Sequence, residues 1–152
     1  MNNASIPEGF VQVEPKGAFI EAFGPLYYKK NGTQLIIALK IEEKHLNARG
    51  IAHGGMLASL ADSALGIVVS LSRTPPLPVV TVNLSIDFAE PAKRGDWVEA
   101  HVDIQRVGSR LAFANCYLKV GERRILHASG VFAVVEPAQP PLSTNTYEES
   151  DG

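Results

Sequence analysis

Between Arg49 and Arg73 the chain carries one formal charge, Asp62, set inside a run of small and apolar residues from His53 to Ser72. The apolar and small side chains of that run fall on nearly every face of a helix, which predicts one long helix packed on all sides by its own protein. A carboxylate in such surroundings needs a partner, because desolvating the ionised form costs several kcal/mol or drives the group to protonate. A hydroxyl from Ser59 or Ser63, or a loop amide, would hold Asp62 for structural reasons alone. A role in chemistry would explain it equally well, and residue type leaves both readings open.

The start of the same helix bears on that choice. Gly54 and Gly55 each cost the helix about 1 kcal/mol relative to alanine. They also strip every Cβ from around the first-turn amides, which have no partner inside the helix. A ligand oxygen could then rest directly on a backbone N–H, at the end of the helix dipole that favours negative charge. The plainer reading is that the two glycines let another backbone pack closely.

The rest of the chain describes what surrounds this helix. With 152 residues, 45% hydrophobic content and a net charge of −2, it fits one globular domain and offers no basic excess for nucleic acid. The first residues lack the charged and apolar regions of a secretory signal. The longest apolar run falls short of the roughly 18 residues a membrane span requires. A cytoplasmic protein with no membrane association is the expectation. Cys116 is the only cysteine and lies in an alternating segment, where a small buried side chain fits better than a nucleophile.

Residues 1–26 read as an N-terminal arm or cover, with a pairing segment around Phe10, Val11 and Val13 and a short helix from Gly17 to Gly24. The domain proper is expected over residues 27–135. It begins with a hairpin, Leu26 to Lys29 and Thr33 to Ile41, turning at Asn31-Gly32. After the helix, Pro75, Pro76 and Pro78 end helical structure, and strands are expected from Val79 to Phe88, Trp97 to Val107, Leu111 to Val120 and Arg123 to Val135. Residues 136–152, rich in Pro, Ser, Thr and acids, read as a disordered tail. The order defines an α+β protein, with a long central helix wrapped by a curved antiparallel sheet. Any helical surface left bare must be covered by a second copy, so a homo-oligomer, at least a dimer, is expected.

The segment from His45 to Gly66 resembles the signature of hotdog-fold acyl-CoA thioesterases of the phenylacetate-degradation (PaaI-like) type. In that family an Asn precedes a His-Gly-Gly motif by six positions and an Asp follows the His by nine, and Asn47, His53, Gly54 and Asp62 match. Thr81 to Asp96, with Pro91-Ala92 and Gly95, looks like the family's next strand and turn.

This resemblance implies a hotdog fold and hydrolysis of an acyl-CoA thioester to the free acid and coenzyme A, and it extends the expected dimer to a dimer of dimers. It implies that the Gly54 amide polarises the carbonyl and that Asp62 acts as base or nucleophile. Asn47 would place the water or the carbonyl, His53 would brace the Asn47 loop, and Thr81 would assist from the following strand. Gly55, Arg106 and Arg110 are candidates for substrate binding, the arginines through the nucleotide phosphates. Coenzyme A enters only as part of the substrate, and no other cofactor is implied. The scattered positions of His45, His53, His101 and His127 give no metal-site spacing. A non-enzymatic acyl-CoA-binding or sensing module, or another acyl-thioester enzyme such as a hydratase, are the alternatives. Gly54 and Asp62 are eight residues apart, roughly 12 Å along a helix axis. The site is therefore expected to combine Asn47 and Gly54 of one subunit with Asp62 of another.

Overall fold

A computed structural model describes residues 6–136. Apart from Glu136, the tail expected over 136–152 lies outside the described residues, as do the first five positions of the arm. The elements run β1 (Val11–Gln12), α1 (Ala18–Phe23), β2 (Tyr27–Asn31), β3 (Gln34–Lys40), a 3₁₀ turn (Glu43–His45), α2 (Gly54–Ser70), β4 (Val79–Phe88), β5 (Trp97–Val107), β6 (Leu111–Val120) and β7 (Arg123–Val134). In the hairpin, Asn31 pairs with Gln34, so the turn residues are Gly32 and Thr33 rather than Asn31-Gly32. Gly32 takes the left-handed backbone, with φ at 64°, that the turn requires.

All pairings are antiparallel, and the strand order is β1-β2-β3-β5-β6-β7-β4. After β3 the chain leaves the sheet, crosses its face as α2, enters the far edge as β4, and returns to pair β5 with β3.

This arrangement corrects the expectation of a curved sheet wrapped around the helix. The seven-stranded sheet is open, with β1 and β4 as separate edges that never meet. The buried positions of α2 are Leu57, Leu60, Ala61, Ala64, Leu65 and Val69, a single stripe of helical spacing. The opposite side carries Ser59, Asp62 and Ser63, which are only partly buried. Small residues look apolar in sequence yet demand little burial, so the run appeared hydrophobic all round when one stripe carries the packing.

Close contact between α2 and the sheet depends on that stripe meeting small residues below it. Ala112, Ala114, Cys116, Ala128 and Gly130 form the floor, with Phe132 filling the space between. A Cβ at Gly130 would lie 2.7 Å from the Phe132 ring and 3.0 Å from Leu65. On the other face of the sheet, Trp97 is met edge-on by Phe10 of the N-terminal arm at 5.1 Å and at a tilt by Tyr27 of β2 at 5.4 Å, so the arm covers that side near β2 and β3.

Replacing Gly130 with alanine should destabilise the fold by about 1–3 kcal/mol through overpacking, read as a lower urea midpoint with an unchanged slope. Cys116 is fully buried, and burial pushes its thiol up to about 12. Native protein should therefore resist a thiol-specific reagent near pH 8 and react only on unfolding. Because the thiol loses its proton more readily once unfolded, its contribution to stability is complete below the ordinary thiol range. That contribution should fall as pH rises from 9.0 towards about 12, measured as unfolding free energy against pH in wild type and Cys116→Ala.

Candidate active site

The first turn of α2 is built by its cap. His53, with φ −63° and ψ 132°, stands outside the helix, and its Nδ1 accepts the Gly55 N–H at 2.8 Å. Its carbonyl takes the N–H groups of Met56 and Leu57 at 3.0 and 3.1 Å. The Gly54 N–H is the first-turn donor left without an acceptor among the described residues. The two glycines thus have different duties. A Cβ at Gly55 would press the His53 ring at 3.0 Å, so Gly55 makes room for the cap and gives its own N–H to it. A Cβ at Gly54 would stand 3.4 Å from the exposed ring of Phe88, at the end of β4.

Asn47 sits in the loop that leads to this turn and is held there by its own side chain. Its Oδ1 accepts the N–H groups of Arg49 at 2.9 Å and Ile51 at 3.3 Å, while its backbone N–H donates to Ile51 O at 2.8 Å. The loop is fastened to the Pro91–Gly95 turn by Ala52 N–H to Ala92 O at 2.8 Å. The resemblance gives His53 the task of bracing this loop. Here its ring meets Gly55, while its backbone N–H donates to His45 O at 2.8 Å.

His45 is the residue that the sequence did not single out. It is 3% exposed, the one buried polar side chain among the described residues. Its Nδ1 accepts the Glu42 N–H at 2.9 Å, which leaves the proton on Nε2 to donate to Phe23 O at 2.7 Å. Lys44 adds a bond to Gly24 O. Together they tie the end of α1 to the segment carrying Asn47. In sequence His45 follows Glu42, Glu43 and Lys44, a polar stretch that gives no sign of burial.

Asp62 lies midway along α2 and is partly exposed in the single chain. Its Oδ1 accepts the hydroxyl of Thr81 on β4 at 2.7 Å. The hydroxyl partner thus comes from the sheet, and Ser59 instead donates to the Gly55 carbonyl at 2.9 Å. Thr81 reaches Asp62 because β4 is bulged at Val82: Asn83 pairs with Val131, and Thr81 pairs with Phe132. Without the extra residue, strict alternation would turn Thr81 to the other face with Asn83 and Ser85. The bulge points it at the helix.

The structure places His53, Gly54 and Gly55 at the helix start, Asn47 at the tip of the loop whose base is the His53 N–H to His45 O bond, and Asp62 with Thr81 further along. Within one chain the two groups stay roughly 12 Å apart along the axis. Arg106 and Arg110 are exposed near the β5–β6 turn, where Arg73 bonds Val107 O, at the end of α2 opposite Gly54. Arg123 pairs with Glu90 at 2.7 Å, and Arg124 lies 4.1 Å over the Tyr117 ring. Among the described residues no cluster of His, Cys, Asp or Glu could hold a metal ion, and no helix is long and apolar enough to cross a membrane.

Residues 49–126 match the model of the thioesterase superfamily, and the chain belongs to that family. A Pseudomonas aeruginosa protein, provisionally named an esterase, is 44% identical over 129 residues, covering 84% of this chain and 96% of its own. The mouse protein named acyl-coenzyme A thioesterase 13 is 35% identical over 82 residues, 54% of this chain and 58% of that one. Among solved structures, a mutant of the phenylacetic acid degradation protein PaaI from Thermus thermophilus superposes with a TM-score of 0.69. It is 25% identical, and the match covers 78% of this chain and all of that one. The fold is thus the hotdog fold of PaaI-like thioesterases.

His45→Ala should lower stability by about 1–3 kcal/mol, since it leaves the buried Phe23 carbonyl without a donor. Faster amide exchange over residues 18–24 than over α2 should accompany the loss, because the clamp on α1 is what is removed.

Proposed function

We propose that this chain hydrolyses an acyl-CoA thioester to the free acid and coenzyme A at a site shared by two copies of itself. The observation that carries the reading is the division of labour along α2. A bare Gly54 donor stands at its start, and a carboxylate held by Thr81 stands two turns on. A reacting carbonyl needs an oxyanion donor and an attacking group each within about 3 Å, so the start and the middle of this helix serve different thioesters. A two-fold pair of antiparallel helices would set Gly54 of one copy against Asp62 of the other, twice per dimer.

In the reaction, the thioester oxygen accepts the Gly54 N–H, which strengthens as negative charge develops there. The amide of Asn47 helps place the water or the carbonyl. Asp62 takes the proton of the attacking water, or attacks the carbonyl carbon itself to form a mixed anhydride that water then hydrolyses to the free acid and the restored carboxylate. The thiolate of coenzyme A leaves and is protonated. Thr81, donating to one carboxylate oxygen, fixes the other for the reaction. The names of the relatives support the substrate class, one being an acyl-coenzyme A thioesterase and the other provisionally an esterase.

Asp62→Asn should cut kcat about 10²–10⁴-fold with melting unchanged, in an assay for free thiol release. Gly54→Pro removes the proposed donor at the first helical position, where proline is tolerated and His53 already has the extended backbone that precedes it. It should lower kcat about 10²–10³-fold. Mixing the two dead variants under verified subunit exchange should restore about a quarter of wild-type activity, since half the dimers are hybrids with one intact site. No recovery would mean that one chain supplies both groups. A single turnover in heavy-oxygen water that leaves label in the Asp62 carboxylate would show the nucleophilic route, since a water activated by Asp62 carries its label only into the product acid.

A further inference from the structure

His45 is a buried titratable group that the proposed reaction does not itself use. Its ring nitrogens meet neutral backbone groups of opposite kind: Nδ1 takes the Glu42 N–H at 2.9 Å, and Nε2 gives its proton to Phe23 O at 2.7 Å. Only the neutral ring with its proton on Nε2 satisfies both. A proton added at Nδ1 would set one N–H against another and leave the Glu42 N–H without its acceptor.

The backbone of the same residue carries the start of α2. His45 O accepts the His53 N–H at 2.8 Å and so closes the base of the Asn47 loop, which the Leu46–Ala52 bridge and the Asn47 N–H to Ile51 O bond continue. His53 is the cap of α2, with its ring on the Gly55 N–H and its carbonyl on the N–H groups of Met56 and Leu57. One planar peptide unit holds both that carbonyl and the free Gly54 N–H, so whatever shifts His53 turns the donor. A single line of contacts thus runs from Phe23 O through the His45 ring and carbonyl to His53 and Gly54.

The charges around the ring are engaged elsewhere or exposed. On its own turn Lys44 donates to Gly24 O, Glu42 faces Lys44 at 3.8 Å, and Glu43 faces Arg94 at 4.0 Å. From α1 the titratable group is Glu21, and from the loop they are Arg49 and His53, all three exposed. The first two turns of α2 carry no formal charge. A positive ring at position 45 therefore has no carboxylate bonded to it, and Lys44 stands on the carbonyl next to the one the ring uses.

We infer that His45 is a positioning residue for the hydrolysis: its neutral ring, by holding the Glu42 N–H, keeps the Gly54 N–H aimed at the thioester oxygen, and protonation of the ring releases the turn and misdirects that donor. The inference rests on the reaction proposed above and adds what holds its oxyanion donor in place. Such a donor acts where charge develops in the transition state, so its loss of aim lowers kcat with KM little changed. A displacement of about 1 Å is enough for a loss of about 10²-fold.

The test compares wild type with His45→Asn and His45→Gln by kcat and KM on acyl-CoA, by melting, and by the amide resonance of Gly54. Asn places an oxygen where Nδ1 stands and still takes the Glu42 N–H, whereas Gln reaches Phe23 O with its amide and leaves the Glu42 N–H unpaired. Neither side chain titrates. His45→Gln should lose about 10–10²-fold in kcat with KM little changed and should move the Gly54 resonance. His45→Asn should rescue most of that loss although it melts lower, having given up the bond to Phe23 O. On acidification Asp62 and His53 act alike in wild type and His45→Asn, so the ratio of their kcat values isolates His45. That ratio should fall as the His45 ring resonances report its protonation, while α2 stays protected from amide exchange. A ratio that stays level once His45 is protonated, protonation only with unfolding of α2, kcat losses that follow melting temperature, or an unmoved Gly54 resonance in His45→Gln would each make His45 a structural clamp alone and overturn the inference while leaving hydrolysis standing. No hydrolysis of any acyl-CoA by wild type would instead defeat the proposed function, and this inference with it.

Discussion

The close seating of α2 on the sheet is the contact on which the other features depend. Ala61 and Ala64 on the helix face Ala112, Ala114, Ala128 and Gly130 on the strands, and Leu60, Leu65 and Phe132 fill the space between them. Small residues on both surfaces let the helix come near enough for a short side chain to span the gap. Asp62 has only one methylene, yet it reaches the hydroxyl of Thr81 across the helix–sheet boundary. Bulkier residues at the floor would lift the helix and break that bond. The packing that stabilises the fold is thus also what positions the carboxylate.

The same helix imposes a separation. Its N-terminal donor and its carboxylate are fixed by helical rise, and no side-chain motion brings a backbone amide towards Asp62. In the proposed reaction, a chain with this helix therefore supplies its donor and its carboxylate to different places. The open sheet and the half-covered outer side of α2 fit that proposal, since a single copy leaves Ser59, Asp62 and Ser63 partly exposed. In the proposed shared site, chemistry and assembly would use the same surface.

Strand boundaries were readable in the sequence because alternation and turn residues are local. The ends of β4, β5 and β6 agree with the structure, and β7 ends one residue earlier than read. Two local readings shifted. The hairpin turns one residue later than Asn31-Gly32, because Asn31 is drawn into pairing with Gln34. The helix looked apolar on all faces because alanine, glycine and serine satisfy either a buried or an open position.

The sequence by itself determined the order of the elements, the single central helix with its lone carboxylate, and the residues of the motif from Asn47 to Asp62. These follow from spacing along the chain and from the rarity of an isolated charge in an apolar run. Only the tertiary structure decided that the sheet stays open, that Thr81 faces the helix through a bulge at Val82, that His53 caps Gly55, and that His45 fastens α1 beside the site. Each of these depends on which distant segment meets which. A one-residue bulge reverses the face of a strand without any mark in composition, and a buried histidine in a polar stretch is recognisable only once its two partners are in place.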